Sequence, residues 1–313
     1  MPVRKSGDIL NIIICVVSVC FLLMFPAYCI EAAKDGLTTA LYIVLPSIFP
    51  FMVLSRFTVA SGIGYSLSEL TGKPFEKVFG INRRYSIAFL LGCLGGYPVG
   101  SIVLSDMLRK KEISQKYAEH LAGICNNASP MFVIGTVGTI LLNNTLYGYV
   151  LYAIHLLCVI LCGIIMKHIF HPEKTDCFSQ NLKHKSNSPL SEAVTSSGIN
   201  MVNIASYIIV FSVISKFILL LCKKINCSFI LCLLEITVGI RYCASSSLPE
   251  ILKLSTISFA LGFSGLCVFS QSKSVFGDLN ISFSKYFFAK SLIAVMSFAV
   301  SYFIFSIIFL TLN

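Results

Sequence analysis

The chain has 313 residues, of which 56% are hydrophobic and 12% charged, and its formal net charge is +10. That apolar excess excludes a soluble globular protein, and several runs reach the roughly 20 residues needed to cross a bilayer. The basic balance suits a membrane protein whose cytoplasmic loops collect Lys and Arg, and gives no reason to invoke nucleic acid. The 13 cysteines lie mostly inside apolar runs, as Cys15, Cys20, Cys158, Cys162 and Cys232 do, and read as small hydrophobes, not a zinc site or a disulfide framework.

In chain order, Arg4 and Lys5 place the N-terminus in the cytoplasm, ahead of a run over 9–30. Pro26-Ala27-Tyr28-Cys29 is a poor cleavage or lipoprotein site, so the run reads as an extra, uncleaved helix. The stretch 37–60 returns to a basic, cytoplasmic loop holding Lys73, Lys77, Arg83 and Arg84. The next stretch, 86–104, is short, is interrupted by Gly95, Gly96 and Pro98, and is followed by Arg109, Lys110, Lys111 and Lys116. Both its ends therefore belong on one side, which a re-entrant hairpin satisfies; the alternative is a kinked crossing helix. Stretch 120–142 then goes out and 146–168 returns to a polar linker over 169–190 with Lys174, Lys183 and Lys185. Apolar stretches near 199–222, 228–246, 254–270 and 286–310 complete the chain, with Lys223 and Lys224 the poorest fit to the charge rule.

An internal repeat organises these stretches. The segment 46–57 aligns without gaps on 206–217: Ile48, Phe51, Val53, Ser55 and Phe57 recur as Ile208, Phe211, Val213, Ser215 and Phe217. Gly123-Ile124-Cys125 is echoed by Gly265-Leu266-Cys267. The expected fold is an all-α polytopic membrane protein forming a single transmembrane domain. It comprises the extra N-terminal helix (9–30), repeat 1 (31–168), the cytoplasmic linker (169–190) and repeat 2 (191–313). Each repeat holds a re-entrant hairpin or broken helix and an odd number of crossings, so the two are inverted relative to each other. The second hairpin is 228–246.

Backbone breaks and amides at membrane depth are tolerated where they line a cavity, so the candidate site is read from them. Gly95, Gly96, Tyr97, Pro98 and Gly100 make a turn whose backbone groups approach a substrate; no Lys-Ser/Thr follows to make a phosphate loop. Asn126, Asn127 and Ser129 precede Pro130, which suits the first position of a new half-helix with Ser129 as its cap. Such an N-terminus aims free amides at an anion; the competing reading is that the amides join helices. Ser196, Asn200, Asn203 and Tyr207 form one polar stripe, and Asp35, Thr39, Tyr42 and Pro46 another, facing a cavity or a partner helix. Glu235 and Arg241 are the charges inside the second hairpin. They either pair with each other, or Arg241 meets a substrate carboxylate while Glu235 handles a coupling cation or fixes the turn. His155 reads as packing. His168, His171 and His184 near the linker do not suggest a metal, and no metal, cofactor or catalytic constellation is read, so an enzyme is not expected. The expected partners are a small anionic substrate and the lipid bilayer, with a coupling ion and homo-oligomerisation left open.

Gly-Gly-Tyr-Pro-Val-Gly at 95–100, Cys-Asn-Asn-Ala-Ser-Pro at 125–130 and Phe-Val-Ile-Gly-Thr-Val-Gly at 132–138 resemble the YlbJ (SpoVV) family of sporulation integral membrane proteins. Leu-Glu-Ile-Thr-Val-Gly at 234–239 and Leu-Gly-Phe-Ser-Gly-Leu at 261–266 resemble its second-half signatures. That family is similar to the nucleoside-recognition (Gate) membrane proteins. The resemblance implies passage of dipicolinic acid, a small aromatic dianion, from the mother cell across the outer forespore membrane. The alternatives are a nucleoside or other metabolite carrier of the Gate group, a non-transporting scaffold for spore assembly, and the gate of a ferrous-iron permease, whose driving GTPase this chain lacks.

Overall fold

The computed structural model describes residues 16–171, 188–222 and 226–312. Arg4, Lys5, Cys15, Lys174, Lys183, His184, Lys185, Lys223 and Lys224 lie outside the described residues, as does most of the expected linker. Among the described residues the chain is helical and has no strand.

A helix over 16–24 (α1) is interrupted at Phe25, and Pro26 opens the long α2, Pro26–Ala60. The polar break expected between residues 30 and 37 is therefore absent; the chain changes direction one turn earlier, where Pro26 lacks the amide that would continue α1. α2 widens into a π turn over Ala40–Val44 ahead of Pro46 and Pro50. There the Ser47 hydroxyl donates to the carbonyls of Ile43 at 2.7 Å and Val44 at 3.0 Å, satisfying backbone groups that the irregular turn loosens.

The basic loop expected after residue 60 is also a helix, α3, Ile63–Phe79, with left-handed glycines, Gly62 and Gly80, at its two ends. It buries Phe75 and Phe79 and turns Leu70 outward, the amphipathic pattern of a helix lying along a surface. The stretch 86–104 becomes α4, Ser86–Gly95, and α5, Val99–Arg109, folded against each other as a hairpin. Its ends meet: the Tyr85 hydroxyl lies 3.5 Å from the carbonyl of Glu112.

α6, Gln115–Cys125, and α7, Met131–Leu141, are the two halves of a broken helix, and α7 is wound as a π helix. α8, Thr145–Phe170, returns alongside α7, where Gly138 and Gly148 let the backbones touch. α9, Pro189–Leu221, is longer than the expected 199–222 and runs antiparallel to α2: Lys216 pairs with Glu31 at 3.1 Å, and Gly36 abuts Ile209. The second hairpin is α10, Ser228–Leu234, and α11, Ile236–Ala244, with Gly239 set against the Cys232 backbone.

The stretch 254–270, expected to cross unbroken, is two helices: α12, Glu250–Phe263, and α13, Gly265–Phe276. They are separated by left-handed backbone at Ser264 (φ 71°) and Gly265 (φ 80°). α14, Ser284–Leu312, closes the bundle by packing Ala289 on Gly123 of α6 and Ala294 on Gly262 of α12. Without a hydrophobic drive between helices in lipid, such small-residue contacts let backbones approach.

The long helix, the hairpin, the broken helix and the closing helix thus occur twice in the same order, with α3 extra in the first half. The echo between 123–125 and 265–267 does not follow that order, because the first precedes its break and the second follows one. Pro26–Ala60, Thr145–Phe170, Pro189–Leu221, Glu250–Phe276 and Ser284–Thr311 are each long and apolar enough to cross a bilayer. Large apolar side chains face outward along them, Val202, Phe303 and Leu310 among them, while polar groups turn inward. The chain is a multi-pass integral membrane protein.

Candidate functional site

The tips of both hairpins and the break between α6 and α7 converge on one small cavity. Gly96 and Tyr97 reach it from the first tip, Ser129 and Phe132 from the α6–α7 break, Glu235 and Thr237 from the second tip, and Gln271 from α13. Its volume is about 40 Å³, room for about three water molecules and far below the roughly 300 Å³ of a typical small-molecule site.

Each wall has a local cause. Gly96 adopts φ 81°, which a side chain resists, and a Cβ there would come within 3.0 Å of Ser129. Tyr97 is buried, and its hydroxyl donates to the carbonyl of Leu261 on α12, fastening the first hairpin to the second half. Pro98 is buried at the start of α5, after a cis Tyr97–Pro98 bond. Gly92 and Gly100, one on each arm, straddle the Cys125 carbonyl: a Cβ would sit 1.7 Å and 1.9 Å from it. Gly95 lies against Val99 within the hairpin. Gly95 and Gly100 thus serve close packing, not cavity lining.

Ser129 accepts a hydrogen bond from the Phe132 amide at 3.2 Å and so caps the half-helix that begins at Pro130, as the sequence indicated. The two asparagines behave differently. Asn126 donates through Nδ2 to Ser272 and to the Tyr286 hydroxyl, both at 2.9 Å. Asn127 turns back to the Ile124 carbonyl at 2.7 Å and lies 3.4 Å from Cys93 Sγ. Both are fully buried behind the cavity wall, and neither lines it. His155, read as packing, accepts from the Ala128 amide at 3.3 Å and so satisfies a backbone group freed by the break.

At the second tip, Glu235 is buried and accepts from the Val238 amide at 2.6 Å, capping α11. It makes no ion pair with Arg241. The Arg241 guanidinium instead donates to the Thr39 hydroxyl on α2 at 3.3 Å. Arg241 lines a separate, wider cavity of about 600 Å³ with Asp35, Lys216 and Tyr242. The N-terminal turn of α11 divides the two spaces, with Thr237 on the small cavity and Val238 on the large one.

The polar stripes separate. Thr39 meets Arg241 and Asp35 lines the wide cavity, whereas Tyr42 is 77% exposed on the outer face, because the π turn shifts the helical register after residue 39. Asn203 donates to Ser274 on α13 at 3.0 Å, and Asn200 is half-buried on α9; neither lines the small cavity.

The sequence reading missed Lys290. It lies on α14, 1% exposed, and its Nζ donates to the backbone carbonyl of Asn126. The Tyr97 and Tyr286 rings lie 5.1 Å and 6.0 Å from it. The signal was available, since a lone Lys inside an apolar membrane stretch is by default a functional candidate.

No family model matches the chain, and no solved structure matches it. The chain is similar to the sporulation integral membrane protein YlbJ of Bacillus subtilis (strain 168), 24% identical over an alignment that covers 85% of this chain and 75% of that protein, and this similarity supports the YlbJ family resemblance.

Proposed function

We propose that the chain is a sporulation membrane carrier that moves dipicolinic acid from the mother cell across the outer forespore membrane. The observation carrying this reading is the convergence of two helical hairpins and a broken helix on one small cavity, whose largely apolar wall carries Ser129, Glu235, Thr237 and Gln271. Irregular backbone at this depth belongs where a cavity is lined, and interrupted helices in repeated halves mark carrier binding sites. The capped N-terminus of α7 offers an end of positive potential to a carboxylate.

The hairpins are re-entrant in this reading and the halves are inverted repeats. The hairpin arms support this, since they have 10 and 11 residues in the first and 7 and 9 in the second, short of the roughly 20 a crossing needs. The antiparallel pairing of α2 with α9, which carry the two matched segments, also supports it. Because the cavity is small, substrate enters only after a hairpin tip or a half-helix moves.

Glu235, Thr237 and Gln271 on the cavity favour a second reading, a neutral polar substrate such as a nucleoside, since a carboxylate there opposes a dianion. Uptake by liposomes containing the purified chain decides between them. The proposal expects labelled dipicolinate uptake that unlabelled dipicolinate, but not uridine, competes away. A deletion strain is expected to make dipicolinate-poor spores. Normal spore dipicolinate together with no uptake would reject the proposal.

A further inference from the structure

Lys290, on α14, is buried with its Nζ on the Asn126 carbonyl. Among the described residues no carboxylate comes within ion-pair distance of its ammonium. The groups facing it are Cys93 from α4, Tyr97 from the first hairpin tip, Cys125 from α6, His155 and Cys162 from α8, and Tyr286 from its own helix. None is an acid. A buried charge without a counter-ion is costly unless its surroundings answer it. The answer here is the Asn126 carbonyl, the first beyond the C-terminus of α6, where helix carbonyls lack partners and the dipole is negative. The tyrosine rings add their negative faces.

Carbonyls at the end of a half-helix are where carriers of broken-helix design hold their coupling cation. In this chain the Lys290 side-chain nitrogen occupies that place. Tyr97 stands between it and the cavity, with its ring on Lys290 and its residue in the cavity wall. An anion bound in the cavity would supply the missing counter-charge across Tyr97. By linkage, whatever favours the proton on Nζ when the anion is bound favours the anion equally when the proton is bound.

We propose that Lys290 is the coupling site of the carrier: the Nζ lone pair takes a proton from water as the anion binds and returns it to water after the anion leaves, so that transport runs with protons and without sodium. This rests on the carrier reading.

The test uses liposomes holding the full chain, with labelled dipicolinate outside. Wild type is expected to accumulate it when the outside is the more acidic and sodium is absent. Lys290→Arg keeps a cation that does not release its proton. It is expected to lose that accumulation by roughly tenfold or more, within the range of ordinary coupling, while still exchanging internal for external dipicolinate. A Lys290→Arg protein that still accumulates, or a wild type that needs a sodium gradient, overturns the proposal. A second measurement needs no substrate: the thermal midpoint of the purified chain is followed against pH in choline chloride and in sodium chloride. Wild type is expected to give a pH-dependent midpoint indifferent to sodium, and Lys290→Arg and Lys290→Met a flatter profile. Equal pH profiles in all three proteins overturn the coupling site whatever the substrate is. A Lys290-dependent profile without dipicolinate uptake upholds the proton site and rejects dipicolinate instead.

Discussion

Arg241 donates to the hydroxyl of Thr39 at 3.3 Å, tying the second hairpin to α2, while Glu235, six positions earlier, holds the Val238 amide. The two charges of that hairpin therefore do separate work. Neutralising both, as Glu235→Gln with Arg241→Gln, should cost close to the sum of the single changes, since each removes a different hydrogen bond. Thermal midpoints of the four proteins measure this. A double variant clearly more stable than that sum would mean that the two charges are paired in the membrane.

Gly92 and Gly100 should tolerate no side chain. With Cβ positions 1.7 Å and 1.9 Å from the Cys125 carbonyl, Gly92→Ala or Gly100→Ala must push α6 out of the hairpin. Either variant should fail to accumulate as a monodisperse protein. Gly198 on α9 has open space around its Cβ, so Gly198→Ala should be neutral or stabilising by up to ~1 kcal/mol. Size-exclusion profiles of tagged variants check the contrast, and normal Gly100→Ala protein would contradict this packing.

Asn126 and Ser129 should separate stability from substrate handling. Asn126→Ala removes hydrogen bonds to Ser272 and Tyr286 behind the wall and should lower the thermal midpoint while leaving the apparent KM for dipicolinate near wild type. Ser129→Ala removes the cap of α7 at the cavity, costing about 1 kcal/mol and raising that KM. The reverse pattern would place Asn126 against the substrate.

Single cysteines replacing Lys77 and Lys111, in a background without native cysteines, should both react with an impermeant maleimide from the cytoplasmic side only. The meeting of Tyr85 with Glu112 brings the two ends of the first hairpin together, so both flanks belong to one membrane face. Labelling of either position from the outer face would make the stretch a crossing helix.

The sequence alone determined the membrane class, the apolar stretches and the breaks at 96–98 and ahead of Pro130, though not those at Phe25 or Ser264, because hydrocarbon imposes length and hydrogen-bond completeness on each segment separately. Pro130 behind Ser129 was legible as a half-helix start for that reason, since cap and helix are neighbours in the chain. What each polar side chain faces was not legible. The π turn after Thr39 moved Tyr42 outward, Asn126 and Asn127 found partners behind the cavity wall, and Arg241 found Thr39 instead of Glu235. Lys290 and Asn126 lie 164 positions apart, and only the packing of α14 on small residues of α6 and α12 brings the ammonium to that carbonyl. Local chemistry fixes where a helix begins and breaks; which groups share a buried site depends on the crossing of helices distant in sequence, and the tertiary structure alone decided that.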